Sequence, residues 1–216
     1  MDGTITRYEM QNLDSLHRPR FQLLTERFQD IQIIGQMQPS RHGANTMSVF
    51  DVDADGDADI LWGDFFEPGL LWIRNEGTCA QIDFHGERIP FPPGRPIATS
   101  GYNAPAAGDV NGDGRLDLVV GVLGGAFNPN KTSTANLYEL DQTAPNVWTV
   151  ATGRLLDGVD LGAETIPAFG DIDGDGDQDL VVGTKIEPGN PRTGGLYWFE
   201  NTGTRTTPAL QLRGHL

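Results

Sequence analysis

The chain has 216 residues, with 30 Asp and Glu against 15 Lys and Arg and a formal charge of −15, a balance that repels nucleic acid and anionic lipid and excludes both as expected partners. Hydrophobic residues make up 38% and charged residues 21%, which suffices for a core and argues against global disorder. No apolar run reaches the about 18 residues of a membrane helix.

In chain order, the start Met1-Asp2-Gly3-Thr4-Ile5-Thr6-Arg7 lacks the apolar core of a signal peptide, which leaves either a cytoplasmic protein or a start that is not the native one. Gly3 to Glu9, followed by Pro19-Arg20-Phe21, echoes Gly194 to Glu200, followed by Pro208-Ala209-Leu210. Residues 1–40 therefore read as the outer half of a repeating unit that is complete elsewhere.

Three segments then align without a gap. They are Asp51 to Gly63, Asp109 to Gly121 and Asp171 to Gly183, with starts 58 and 62 residues apart. Thirteen of the 30 acidic residues fall in their first nine positions, a density of like charge that calls for a cation. Upstream, Ser48, Ala106 and Ala168 share one position, and Met47, Pro105 and Pro167 another. Downstream, Glu67-Pro68-Gly69 matches Glu187-Pro188-Gly189, and Leu71 to Thr78 resembles Tyr197 to Thr204, with a looser version in Asn136 to Leu140. The units run at 41–97, 98–160 and 161–216.

Each unit reads as four short strands bounded by Gly, Pro, Asn and Asp. In the last they lie near Thr165 to Phe169, Leu180 to Lys185, Gly195 to Glu200 and Ala209 to Leu212. No stretch has a capped 3.6-residue period, so helix should be scarce. The expected fold is all-β: a β-propeller segment of four-stranded antiparallel blades, about three and a half in number. Small residues before each loop suit an innermost strand near a crowded axis. Three inner halves against four outer halves predict a fragment, or a half that self-associates or needs missing blades, with apolar terminal faces.

The loops follow D-x-[DN]-x-D-G-x-x-D. A hard cation such as calcium takes six to eight oxygen ligands at about 2.3 to 2.6 Å. The first loop offers Asp51, Asp53, Asp55 and Asp59 with the carbonyl of Asp57. The second offers Asp109, Asn111, Asp113 and Asp117 with the carbonyl of Arg115. The third offers Asp171, Asp173, Asp175 and Asp179 with the carbonyl of Asp177. Gly56, Gly114 and Gly176 permit the bend at position 6. The bland alternative is a cluster of Asx-turns that binds nothing. An EF-hand would place a bidentate Glu at position 12, where this chain has Trp62, Val120 and Val182.

With the adjoining Phe169-Gly170-Asp171 and Glu200-Asn201-Thr202-Gly203-Thr204, the loops resemble those of FG-GAP and VCBS repeat proteins, whose calcium loops also occur in the propeller of integrin α subunits. Phe50, where the other units have Gly108 and Gly170, departs from the pattern. The resemblance implies a scaffold or binding module of a secreted or cell-surface protein, with up to three structural calcium ions and a role in adhesion or in binding protein or carbohydrate. The alternative is a lectin, or a non-catalytic propeller part of a carbohydrate-active enzyme.

No enzymatic activity is expected of the loops, since carboxylates committed to calcium are poor bases. His17, His42, His85 and His215 show no spacing of a zinc site or catalytic pair. Trp62, Trp72, Trp148 and Trp198 read as blade packing before sugar platforms. The Glu-Pro-Gly turns mark the edge opposite the loops as the first place for a ligand face. Cys79, the lone cysteine, reads as a small buried hydrophobe.

Overall fold

The computed structural model describes residues 3–33, 45–124, 136–156, 159, 161–190 and 192–215. The unit boundary expected at residues 40 and 41, His42 and residue 160 lie outside the described residues. Apart from a 3-10 turn at Phe28–Asp30, every regular element described is a strand.

Strands β5 (Asn45–Phe50), β6 (Asp59–Asp64), β7 (Leu70–Ile73) and β8 (Arg88–Phe91) form one antiparallel meander. A second comprises β9 (Asn103–Gly108), β10 (Asp117–Val122), β11 (Leu137–Ala144) and β12 (Val147–Thr152). A third comprises β13 (Ala163–Gly170), β14 (Asp179–Ile186), β15 (Gly195–Asn201) and β16 (Leu210–His215). Toward the N-terminus, β2 (Arg7–Leu13) pairs with β3 (Pro19–Thr25), and β1 (Gly3–Thr4) with β4 (Gln32–Ile33). The four strands expected in the last unit are present, the outermost running three residues further, to His215.

Alternation along each central strand supplies two opposite apolar faces, and the sheets stack in series through them. From β6, Leu61 points with Trp72 and Phe91 into a core shared with Leu118, Val120, Leu140 and Trp148 of the second sheet. Ile60 and Trp62, on the other face, meet Ile31, Phe28 and Ile5 of the N-terminal segment. In β10, Val119 turns away from Leu118 and joins Leu180, Val182 and Phe199 of the third sheet. Phe50, the departure noted above, is buried edge-on against Trp148, with ring centroids 6.4 Å apart. A bulky residue there fills the gap between sheets. These are propeller-like blades.

Neighbouring blades touch along their inner strands, and two glycines allow it. A Cβ on Gly63 would lie 1.8 Å from the carbonyl oxygen of Asn103, and one on Gly121 would lie 2.2 Å from that of Thr165. Gly183 holds the same position in the third sheet, where the nearest atom to a Cβ is 3.8 Å away. No described strand passes over it there.

Trp62, Trp72 and Trp148 are buried in the inter-sheet cores, and Trp198 is half-buried. Cys79 corrects the expectation of a buried hydrophobe: it is exposed, and its Sγ–H donates to the carbonyl of Gly56 at 3.0 Å. It sits in the turn after β7, which folds back over the first Asp loop. No described helix is long and apolar enough to cross a membrane.

Candidate metal centres

Each Asp loop closes the hairpin between the first two strands of its sheet with the same register. Phe50 pairs with Asp59, Gly108 with Asp117 and Gly170 with Asp179. The turn needs left-handed backbone at position 6, with φ of +99°, +87° and +99° at Gly56, Gly114 and Gly176. It needs it again at position 4, where Gly112 and Gly174 comply easily. Ala54 does so at φ +62°, a conformation costing an L-residue roughly 1 to 2 kcal/mol.

The position 1 carboxylate organises the loop from within. Asp51 Oδ1 accepts from the N–H of Asp55 at 3.1 Å and Oδ2 from that of Gly56 at 2.9 Å. Asp109 and Asp171 do the same toward Gly112 and Gly114, and toward Gly174 and Gly176. At position 5, Asp55, Asp113 and Asp175 each accept from the backbone N–H of position 7, that is Asp57, Arg115 and Asp177. At position 3, Asn111 and Asp173 each accept from the N–H two residues on.

Position 9 ties three strands together. Asp59 Oδ2 accepts from Val52 N–H at 3.2 Å, and its Oδ1 accepts from Asn75 N–H, just past β7, at 2.7 Å. Asp117 bonds Val110 and Gln142, and Asp179 bonds Ile172 and Asn201, in the same way. Burial pushes Asp59 and Asp117 up to about 6, so without a cation their charged form is disfavoured.

Apart from Asp117 Oδ2, which accepts from both Val110 and Asn111, these bonds use one lone pair per oxygen and leave others free. The carboxylates of Asp51, Asp53 and Asp59 bring oxygens within 4.8 Å of one another, as do those of Asp171, Asp173 and Asp175. Asp55 stands apart from the first trio, and Asp179 from the third. In the second loop Asn111 replaces one carboxylate. Asp53 is 6% exposed, yet its Oδ1 is buried with no hydrogen-bond partner, and the Oδ1 atoms of Asp57 and Asp177 are buried the same way. Orphaned oxygens in an all-oxygen donor set fit a hard divalent cation, calcium before zinc.

The position just before the backbone N–H that bonds the Oδ1 of position 9, which lies just past β7 but inside β11 and β15, was missed by reading the loops alone. It holds Arg74, Asp141 and Glu200. Arg74 Nε lies 2.8 Å from Asp53 Oδ2, and its Nη2 donates to Asp55 Oδ2 at 3.2 Å. Asp141 Oδ1 is buried without a partner, and burial and then the charge of Asp113 hold its carboxyl above the ordinary range. Glu200 is clamped by Arg213 at 2.7 and 3.0 Å. The available signal was the alignment of Ile73-Arg74-Asn75 with Phe199-Glu200-Asn201.

Neither His85, paired with Asp83 at 2.7 Å, nor His215, paired with Glu187 at 2.6 Å, belongs to either carboxylate trio. On the opposite edge, the Glu67-Pro68-Gly69 turn is occupied by the next sheet. Its Pro68 carbonyl accepts from Thr99 N–H at 2.7 Å and its Gly69 carbonyl from Asn103 Nδ2 at 2.9 Å.

Comparison with known families places an FG-GAP-like repeat over residues 51–120 and an FG-GAP repeat over residues 165–197. All three Asp loops fall within these spans. No curated protein matches the chain.

Proposed function

We propose that this chain, an FG-GAP repeat protein with propeller-like blades, is a calcium-stabilised scaffold or binding module of a secreted or cell-surface protein. The observation that carries the calcium reading is the buried, unpartnered Oδ1 of Asp53 among Asp51, Asp53 and Asp59; a second carboxylate trio, exposed, is formed by Asp171, Asp173 and Asp175.

Calcium, when bound, supplies positive charge to the turn and a template for its oxygens. The first site would use Asp51, Asp53, Asp55 and Asp59, the second Asp109, Asn111, Asp113 and Asp117, and the third Asp171, Asp173, Asp175 and Asp179. The protein's own part is to hold those oxygens. Position 1 folds the loop on itself, and position 9 fastens it to the ends of three strands. Binding to the folded state alone converts affinity into stability, about 2.7 kcal/mol per site at a hundredfold excess over Kd.

The role assigned is structural. Carboxylates engaged with a cation are poor proton acceptors, so no catalysis is placed in the loops. Trp62, Trp72 and Trp148 are spent on packing, which supports a scaffold over a sugar-stacking platform. An extracellular setting suits sites of this kind, since extracellular calcium modules work at Kd of about 10⁻⁴ to 10⁻³ M. The partner class is protein or carbohydrate.

The test is thermal unfolding of verified calcium-loaded protein with and without a strong chelator. A marked fall in Tm supports the reading. An unchanged melt overturns it.

A further inference from the structure

One structural position treats the three loops differently. The residue just past β7, like its counterparts inside β11 and β15, is carried to the loop by its neighbour in sequence, because the next backbone N–H is the one that bonds the position 9 carboxylate. This holds for Asn75 on Asp59, Gln142 on Asp117 and Asn201 on Asp179. In the second unit that position is Asp141, an anion with a buried free oxygen. In the third it is Glu200, neutralised from outside by Arg213 of β16. In the first it is Arg74, and its guanidinium is turned inward onto two of the loop's own carboxylates.

We propose that Arg74 is a tethered counter-ion of the first loop, which occupies the place of calcium charge there and must be displaced for the metal to bind; this rests on the calcium reading above. The ligands at stake are the ones the guanidinium holds. Asp53 is a member of the carboxylate trio and is 6% exposed, and Asp55 is the expected side-chain ligand that lies outside that trio. The hold is suited to displacement. Arg74 Nε sits 2.8 Å from Asp53 Oδ2 as an ion pair, but its N–H makes no hydrogen bond. The side chain is 38% exposed, so a route to solvent is open. A fixed positive charge on two ligands opposes a divalent cation by Coulomb repulsion and by competition for the same oxygens.

The first loop, despite its five aspartates, therefore binds calcium more weakly than the third, which has the same number. In calcium-free protein Arg74 takes over part of the neutralising role, so this hairpin keeps its shape when the metal is lost.

The experiment compares the intact chain with Arg74→Ala, Arg74→Gln and Arg74→Lys by calcium titration calorimetry and by melting in chelator and in calcium. The wild type is expected to show a first-loop site weaker than that of the third loop. Arg74→Ala and Arg74→Gln tighten it roughly tenfold or more, and Arg74→Lys leaves it weak. Adding Asp51→Ala to Arg74→Ala abolishes the tightened site, which assigns it to the first loop. In melts, Arg74→Ala falls below the wild type in chelator and equals or exceeds it in calcium. Unchanged site affinities with the same Tm loss in both conditions overturn the proposal and leave Arg74 a structural ion pair. Equal tightening by Arg74→Lys also overturns it. If the wild type binds no calcium at all, the underlying reading falls first and this one with it.

Discussion

The indole N–H of Trp148 donates to the carbonyl of Val52 at 2.9 Å. Trp148 lies in the outermost strand of the second sheet, and Val52 is the second residue of the first Asp loop, so the loop of one blade is anchored in the next. Gln142 Nε2 reinforces the anchor on the same carbonyl at 2.8 Å.

Removing that donor separates hydrogen bonding from packing. Trp148→Phe keeps an aromatic ring against Phe50 and Phe91 and is expected to cost about 1 kcal/mol. Trp148→Ala also opens a cavity, and its cost rises to about 3 to 5 kcal/mol. Denaturant unfolding of the calcium-loaded protein checks both. A larger loss in Trp148→Phe than in Trp148→Ala would refute the assignment.

Three aligned glycines should respond unequally to the same substitution. Gly63→Ala and Gly121→Ala drive a methyl into the carbonyls of Asn103 and Thr165 and are expected to destabilise by about 3 kcal/mol. Gly183→Ala meets nothing nearer than 3.8 Å and should stay within about 1 kcal/mol of the wild type. Melting temperatures of the three variants provide the comparison.

Calcium stoichiometry discriminates ligands from frame. Asp175 is exposed and belongs to the third carboxylate trio. Asp175→Ala should therefore lower the number of bound calcium ions by one, with little effect on the chelated protein. Asp179→Ala strands the backbone N–H groups of Ile172 and Asn201 and should destabilise even in chelator, by about 2 to 3 kcal/mol. Titration calorimetry and melting of each variant test the contrast.

Acid should stabilise the calcium-free protein and weaken the effect of calcium. Asp59 and Asp117 rise from 3.8 to about 6 through burial. Between those values the folded state binds more protons than the unfolded state, so their contribution falls as pH rises through that window. Asp14, Asp83 and Glu187 shift the other way, but they sit at the surface, where screening limits their weight. Calcium competes with the proton at the buried pair, so the rise in Tm on adding calcium should grow from pH 5 to pH 7. A gain independent of pH would count against these carboxylates as the site.

The loops were legible because their chemistry is local. Alternate carboxylates and a glycine at position 6 make the turn within nine residues, and the apolar run after each loop marks the strand that follows. What escaped depends on register between strands distant in sequence. Arg74 reaches Asp53 and Asp55 only because β7 ends beside the loop, and Asp141 meets the second loop because β11 runs past it. Cys79 was misplaced because its turn returns over Gly56 at the surface. Ala54 hid a left-handed residue behind a side chain that gives no such sign. The packing of Ile5, Phe28 and Ile31 on Ile60 and Trp62 belongs to no repeat and had no aligned counterpart to reveal it.

The serial sharing of cores sets how the molecule comes apart. The second sheet contributes Leu118 to one core and Val119 to the other, so it cannot open without exposing both neighbours. Among the described residues, the third sheet has an uncovered flank carrying Ile166 and Leu196, 50% and 41% exposed. Nearest-neighbour coupling of this kind predicts fraying from the third sheet inward. Its amides should exchange with deuterium before those of β10, which persist until global unfolding.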